Sequence, residues 1–290
     1  MNKKQQGLTL IEIMTVVVVV GIIATFVVYN FNNANEQKRV LEILSFSEGL
    51  EGKNLNSLVS KWSFDGPTQA GYLATAEDVR DEAGYNNGNV SGHAPIVKEG
   101  EDCLLGKCLL FDGTSAYIEI GDPIPYDLRG EAFTVSMWIR PINFSAEIQG
   151  VLGAEWRSTN AGYSVSIDNR NPSENGGVSN GINFYIGSGS GEWESSIQGT
   201  TAEALALDEW SNVVAIAEEG SVYRVYLNGK LVTNWTAGSI IFYDNNCQFD
   251  IGRNNLGYFN GYIDEVSFFN KALTISEIEE NYNLGKNGNF

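Results

Sequence analysis

The pattern of apolar and polar residues divides the chain into two parts. Residues 8–28 are almost entirely apolar, with a single charge at Glu12, and two lysines precede this run. A helix of this length rises about 30 Å, which is enough to cross the hydrocarbon core of a membrane. Lysines in a short leader favour its retention in the cytoplasm. The pattern therefore predicts a membrane helix with the bulk of the chain outside the cytoplasm.

The predicted helix extends beyond the apolar run. Polar residues begin after residue 30, but apolar residues recur at helical spacing over residues 40–44. We therefore predict a helix over residues 8–48, of which 8–29 lie in the membrane. Two glycines weaken the helix beyond that point, and residues 49–60 are interpreted as a connector.

From Trp62 onward the hydrophobic period changes to two, which is typical of strands. The clearest alternating segments are Phe133–Ile139, Tyr163–Ile167, Tyr223–Leu227 and Ile263–Phe269. Asn-Gly pairs at 87–88 and 228–229 are typical of tight turns, and no helical pattern separates the strands.

These features predict a mainly β domain, an antiparallel β-sandwich jelly roll over residues 61–284, with residues 285–290 as a tail. The segment from Thr274 to Tyr282 is the one exception, because Thr followed three residues later by Glu predicts a capped helix start.

Composition and charge narrow the classes of function. The chain has 18 Lys and Arg against 36 Asp and Glu, a net charge of −18. Nucleic-acid affinity depends on cations that neutralise phosphates, so no nucleic-acid partner is expected. Catalysis is also not expected, because the one histidine, His93, lies in a turn-like sequence without a motif, and no spaced carboxylate set or phosphate-binding loop is found.

The three cysteines form one close pair and one single residue. Cys103 and Cys108 enclose four residues with a glycine, which permits a turn closed by a disulfide in an exported protein. The alternative is a pair of reduced, half-buried thiols. Cys247 has no partner in this scheme.

The N-terminal segment resembles the leader of type IV pilins and pseudopilins, through its basic start, Gly7 and the sequence Leu-Thr-Leu-Ile-Glu at 8–12. The resemblance implies that residues 1–7 are a leader, that a prepilin peptidase cuts after Gly7, and that the new amine of Leu8 is methylated. It also implies that Glu12 pairs with the terminal amine of a neighbouring subunit, which would neutralise both charges in a low dielectric. The alternative is an ordinary signal anchor. Leu8 departs from the more common phenylalanine, and a proline often found late in the pilin helix is absent.

The following region resembles the laminin G-like, concanavalin A-like jelly rolls over about residues 60–284. The resemblance is carried by the order of short blocks at Trp62–Gly66, Asp81–Gly88, Gly106–Gly113, Phe133–Trp138, Trp210–Ala215, Tyr226–Lys230 and Gly261–Val266. It implies two curved sheets, often with Ca²⁺, and a binding or adhesive role.

A structural Ca²⁺ is expected from this resemblance and from the acidic composition. Asp81 lies in a Gly- and Asn-rich turn with Asn87 nearby, and Asp264 comes from the final strand, which pairs near the first in this fold. Carboxylate and amide oxygens are suitable Ca²⁺ ligands. The alternative is that the aspartates cap turns by accepting bonds from their own backbone.

Sugar binding would require exposed aromatic rings. Trp156 and Trp193, among polar residues of predicted loops, are the candidate platforms, and Tyr185 and Trp235 are further candidates. Trp62, Trp138 and Trp210 are instead assigned to the core.

Together these features predict a structural subunit of a type IV pilus-like filament that presents a laminin G-like domain for adhesion or glycan binding. The expected partners are prepilin peptidase, other pilin subunits and an extracellular glycan or surface polymer. The expected location is the bacterial inner membrane as a single-pass precursor, and then a pilus or pseudopilus. One alternative is a pseudopilin of a type II secretion or DNA-uptake machine. Another is a membrane-anchored lectin-like module that does not polymerise.

Overall fold

The computed structural model describes residues 57–84, 86–90, 94–121, 132–156, 161–188, 197–218, 222–236 and 248–287. The predictions for the leader, the membrane helix and Glu12 therefore lie outside the described residues, as do those for His93, Trp193 and Cys247.

The described residues form two antiparallel sheets, and the larger, sheet A, has eight strands there. Its strands are β1 (Leu58–Trp62), β2 (Ile96–Glu99), β3 (Lys107–Asp112), β5 (Phe133–Pro141), β10 (Ser211–Glu218), β11 (Val222–Leu227), β12 (Lys230–Thr236) and β14 (Asn260–Phe269). Their order is β12-β11-β10-β5-β14-β3-β2, and β1 pairs with β14 alongside β5 and β3. The last strand of the domain is therefore central to the sheet.

In the described part of the chain, the second sheet, sheet B, has six strands in the order β4-β13-β6-β7-β8-β9. Its strands are β4 (Ile118–Gly121), β6 (Ile148–Trp156), β7 (Ala161–Asp168), β8 (Gly181–Ser188), β9 (Ile197–Ala204) and β13 (Phe249–Ile251). A single-turn helix, α1 (Pro172–Asn175), lies between β7 and β8. The two sheets confirm the predicted sandwich.

The main core lies between the sheets and is built from alternate residues of the strands. Trp62 stacks on Phe249, and Phe133 stacks on Phe268, so rings from the two sheets and from neighbouring strands interlock. Large buried aromatic rings contribute most to such a core, since each removes a large apolar area from water. The assignment of Trp62 to the core is confirmed.

The outer face of sheet A is also covered. The helix α2 (Ile275–Asn287) packs Tyr282 onto the ring of Trp138 at a centroid distance of 5.7 Å. Trp138 is therefore buried as predicted, but under the helix rather than between the sheets. Trp210 is half-buried against the same second cluster.

Local signals in the sequence agree with the structure at both ends of the domain. Thr274 and Glu277 form the predicted reciprocal cap at the start of α2, with Thr274 N donating to Glu277 Oε2 at 2.7 Å. Asn228 and Gly229 both have positive φ and form the tight turn between β11 and β12. Two boundaries differ: β1 begins at Leu58 rather than after residue 60, and α2 continues to Asn287, beyond residue 284.

Candidate functional site

A β-bulge in β14 places two acidic residues on the same side of sheet A. Asp264 pairs with Trp138 and Ser267 pairs with Ser136, so an advance of three residues along β14 matches an advance of two along β5. Glu265 is the extra residue, and its φ of 50° lies in the left-handed region. Because of this insertion, Ile263 and Val266 both face the core while the two carboxylates turn towards the outer face.

The bulge creates a buried charged cluster with the neighbouring strand β1. The Lys61 side chain is only 1% exposed, and its Nζ lies 3.6 Å from Glu265 Oε2 and 3.7 Å from Glu82 Oε2. Glu265 is 2% exposed, whereas the Glu82 side chain is 39% exposed. One buried ammonium thus lies between a buried and a half-exposed carboxylate.

The pKa values of the two bulge carboxyls reflect this burial. Burial raises the pKa of Glu265 to about 7, although the Lys61 ammonium opposes the shift. Burial, together with the neighbouring Glu265 carboxylate, raises the pKa of Asp264 well above its usual range. Both effects follow from the cost of holding negative charge away from water.

The disulfide loop closes over this cluster. The predicted bond between Cys103 and Cys108 is confirmed, with a Cα–Cα distance of 5.3 Å. Within the loop, Leu105 N donates to Asp264 Oδ2 at 3.2 Å, and Gly106 adopts a φ of 46°. A Cβ at Gly106 would lie 2.0 Å from an oxygen of Asp65, so the close approach requires glycine.

Asp81 has the geometry of a turn cap that also fixes β1. Its carboxylate accepts bonds from Ser60 Oγ at 2.7 Å, Lys61 N at 3.0 Å, Ala83 N at 3.1 Å and Asn86 N at 3.0 Å. The backbone N–H of Asp81 in turn donates to Asn87 Oδ1. The side-chain oxygens of Asp81 and Asn87 therefore accept bonds from protein donors, as expected if these residues cap the turn.

The proposed calcium ligands do not fit one shared ion well. Asp81 bonds to β1 and its own turn, whereas Asp264 bonds to Leu105 N and to Glu265 N. Within the residues that the structure describes, no group of three or more His, Cys, Asp or Glu is placed to hold a metal ion. Calcium binding by Asp81, Asn87 and Asp264 stays a prediction.

The outer face of sheet B is polar. The buried side chains that line it include Ser164, Ser166, Asn183, Tyr185 and Asp250, which alternate with core residues along their strands. At one edge, Arg253 Nε donates to Asp250 Oδ2 at 2.7 Å, and its guanidinium lies 3.5 Å from the ring centroid of Tyr117. Burial raises the pKa of Asp250 to about 6 despite this partner. No helix of the described residues covers this face in the way that α2 covers sheet A.

The aromatic residues proposed as sugar platforms have different outcomes. Tyr185 is buried, and Trp235 is half-buried against the main core, so neither ring is an open platform. Trp156 is the last residue of β6 and pairs with Ala161, but its side chain lies outside the described part of the chain. The roles of Trp156 and Trp193 stay predictions.

The described residues contain no helix that is long and apolar enough to cross a membrane. The apolar run of the sequence precedes residue 57 and is therefore not part of that observation.

Comparison with known families identifies both parts of the chain. Residues 112–279, more than half of the chain, match the concanavalin A-like lectin/glucanases superfamily, and the chain belongs to that superfamily. Residues 2–28 match the prokaryotic N-terminal methylation motif, which confirms the resemblance to type IV pilin precursors. The motif indicates a precursor anchored in the membrane before filament assembly.

A curated relative supports the second match. The chain is 41% identical over 61 residues to the type II secretion system core protein G of Vibrio cholerae. That alignment covers 20% of this chain and 42% of the relative, so the chain spans less than half the length of this protein.

Solved structures share the fold of the sandwich. Domain 4 of an extracellular arabinanase from Geobacillus stearothermophilus, solved with arabinotriose, has a TM-score of 0.58 at 19% identity and covers 78% of this chain and 98% of its own. A botulinum neurotoxin type C structure, whose cell entry depends on two ganglioside molecules, has a TM-score of 0.55 at 16% identity, covering 81% of this chain and 52% of its own. The binding domain of Paraclostridial Mosquitocidal Protein 1 has a TM-score of 0.56 at 17% identity. The match covers 79% of this chain and 52% of the mosquitocidal protein chain.

Proposed function

We propose that the protein is a structural subunit of a type IV pilus-like filament that presents its sandwich domain for adhesion or glycan binding. The observation that carries this proposal is the presence on one chain of the N-terminal methylation motif and of a concanavalin A-like lectin-type domain. The first part would build the filament, and the second would be displayed along it.

The N-terminal residues would act in processing and assembly. Prepilin peptidase would cut after Gly7 while the precursor lies in the inner membrane, and the methylated Leu8 amine would then be buried in the filament. A buried amine is destabilising unless an opposite charge is close to it, and Glu12 is the one charge of the apolar run. Glu12 of one subunit would supply that charge to its neighbour.

We propose binding rather than catalysis for the sandwich domain. Two proteins with this fold were solved or described with carbohydrate-containing ligands, arabinotriose for the arabinanase domain and gangliosides for the neurotoxin. At this low identity, the likeness of these structures supports a shared fold but not a shared ligand. A single weak sugar site becomes effective when it is repeated along a filament, because multivalency raises avidity by about 10²–10⁴.

Filament incorporation tests the assembly role. We expect Glu12→Ala to insert in the membrane normally, since it removes a charge from an apolar segment, and to be absent from sheared filaments. Thr15→Ala, a polar-to-alanine change on the same run, is the control and should assemble. Filaments that contain Glu12→Ala at the normal level would contradict the pairing.

Ligand binding is tested on a panel of glycans with purified full-length protein and with intact filaments. We expect weak binding by the dispersed protein and firm binding by filaments, reduced in both by Trp156→Ala and Trp193→Ala. Filaments that bind no surface polymer would contradict the adhesive role. Unfolding of the two variants would show instead that these tryptophans belong to the core.

A pseudopilin is the second candidate, supported by the identity to the secretion protein G segment. Abundant filaments shed from the cell surface would favour the pilin, whereas subunits confined to a secretion or DNA-uptake machine would favour the pseudopilin. A membrane-anchored lectin-like module would retain its leader, with Gly7 uncut.

A further inference from the structure

The fold resemblance leads to the expectation of a calcium ion, but the buried carboxylates of β14 already have a positive partner from the chain. We propose that the Lys61 ammonium takes the place of a metal ion as the internal counter-ion of Glu265 and Glu82, and that the domain consequently folds without Ca²⁺.

The position of Lys61 supports this role. Lys61 pairs with Ser267 across the β1–β14 ladder, on the outer face of sheet A where the bulge turns Glu265. Its side chain is fully buried, although lysine side chains normally extend into water. Nζ lies within 4 Å of carboxylates from two different segments, β14 and the turn after Arg80.

Lys61 and Glu265 each neutralise the buried charge of the other, so the stability of the domain depends on both together. Among the residues that the structure describes, neither carboxylate oxygen of Glu265 has a hydrogen-bond partner apart from the Lys61 ion pair. A buried charge that loses its partner is strongly destabilising, because no solvent replaces the lost interaction. Removing Lys61 alone should therefore be much worse than removing Lys61 and the Glu265 charge together.

The remaining acidic residues leave few oxygens for a metal. Ca²⁺ requires six to eight oxygen ligands. Both oxygens of Asp81 and both oxygens of Asp264 already accept bonds from backbone N–H groups or from Ser60. An ion bound by these two carboxylates would compete with that set of bonds and with the nearby ammonium.

The ion pair also fixes the entry of the chain into the domain. β1 is the first strand of the described residues and follows the segment that carries the methylation motif, and its hydrogen-bonded neighbour in sheet A is β14. Lys61 adds a charged contact from β1 to β14, and Asp81 adds two bonds to Ser60 and Lys61. In the proposed filament, this strand would carry the connection between the helix and the displayed domain.

The test is thermal and urea unfolding of the full chain in detergent micelles, with Lys61→Met, the matched control Lys98→Met, and the double variant Lys61→Met/Glu265→Gln. Lys98 is a partly exposed lysine on β2 of the same sheet, paired with Asp102. We expect Lys61→Met to raise the unfolding equilibrium constant at least about 100-fold, Lys98→Met to change it by less than about fivefold, and the double variant to recover most of the loss.

Metal dependence is measured on the same wild-type protein in EDTA, in CaCl₂, and in MgCl₂ at equal ionic strength. We expect the three melting temperatures to agree. A higher melting temperature in CaCl₂ than in MgCl₂ would overturn the proposal. So would equal effects of Lys61→Met and Lys98→Met. If Lys61→Met does not fold, a folded double variant supports the proposal and an unfolded one overturns it.

Discussion

Asp81 provides the sharpest test of the hydrogen bonds that hold the first strand. In Asp81→Ala, four donors lose their acceptor, and two of these, Ser60 Oγ and Lys61 N, belong to residues that are fully buried. A hydrogen bond to a charged group contributes about 1.5–3 kcal/mol, so loss of these two buried bonds should reduce the free energy of unfolding by about 3–6 kcal/mol. Asp81→Asn is the control, because it retains one acceptor oxygen and should lose less.

The assay is equilibrium urea unfolding of the full chain in micelles at pH 7, followed by tryptophan fluorescence, in EDTA and in CaCl₂. If Asp81 caps the turn, the difference between wild type and Asp81→Ala is the same in both buffers. If Asp81 and Asp264 share Ca²⁺, chelation lowers the stability of the wild type, and the variant no longer responds to it. A loss under about 1 kcal/mol in both buffers would refute the energetic argument.

Three further changes follow from the described contacts. Replacing Cys103 and Cys108 by serine should lower the free energy of unfolding by about 2 kcal/mol, the value for so short a loop, and an unchanged urea midpoint would contradict this. Asp78 is buried, which alone would raise its pKa, but bonds from two threonines hold the pKa below its usual range. Its stabilisation is therefore present above about pH 4 and lost as pH falls through the lowered pKa, so the stability gap to Asp78→Asn should shrink in acid. Gly285→Ala should destabilise the packing of α2, because the added Cβ would lie 2.6 Å from the Trp138 ring. Alanine favours helices over glycine, so a higher melting temperature of this variant would contradict the packing argument.

Much of the fold could be predicted because its signals are local. Alternation of apolar residues marked strands such as β5 and β14, and the Thr274 cap marked the final helix. The Asn228–Gly229 turn was predictable for the same reason, since both residues tolerate positive φ. The close cysteine pair also lies within one turn, so its spacing limited the geometry.

The charged cluster could not be predicted from alternation. In a regular strand, Asp264 and Glu265 would face opposite sides of the sheet. The extra residue at the bulge in β14 places both carboxylates on the same side. From the sequence alone, Lys61 would be assigned to the solvent-facing side of β1. Alternation indicates which face of the sheet a side chain lies on, but not whether other segments cover that face. The cover comes from distant segments, the disulfide loop and α2, and Trp138 is buried for the same reason.

The aspartate prediction shows a related ambiguity. A Gly- and Asn-rich turn around an aspartate suits both a cation and a backbone cap, since each uses the same carboxylate oxygens. At Asp81 the four short bonds are to protein donors, as expected of the cap, and calcium binding stays a prediction. The sequence provided the residue, but its partner on β1 is 20 positions away.

We propose above that this chain is a processed pilin-type subunit that carries a lectin-type domain. The most direct measurement is the intact mass and N-terminal sequence of the protein recovered from sheared surface filaments. We expect a chain that begins at N-methylated Leu8 and continues through the sandwich domain to its end. An intact Met1, or a cut beyond residue 25, would contradict it.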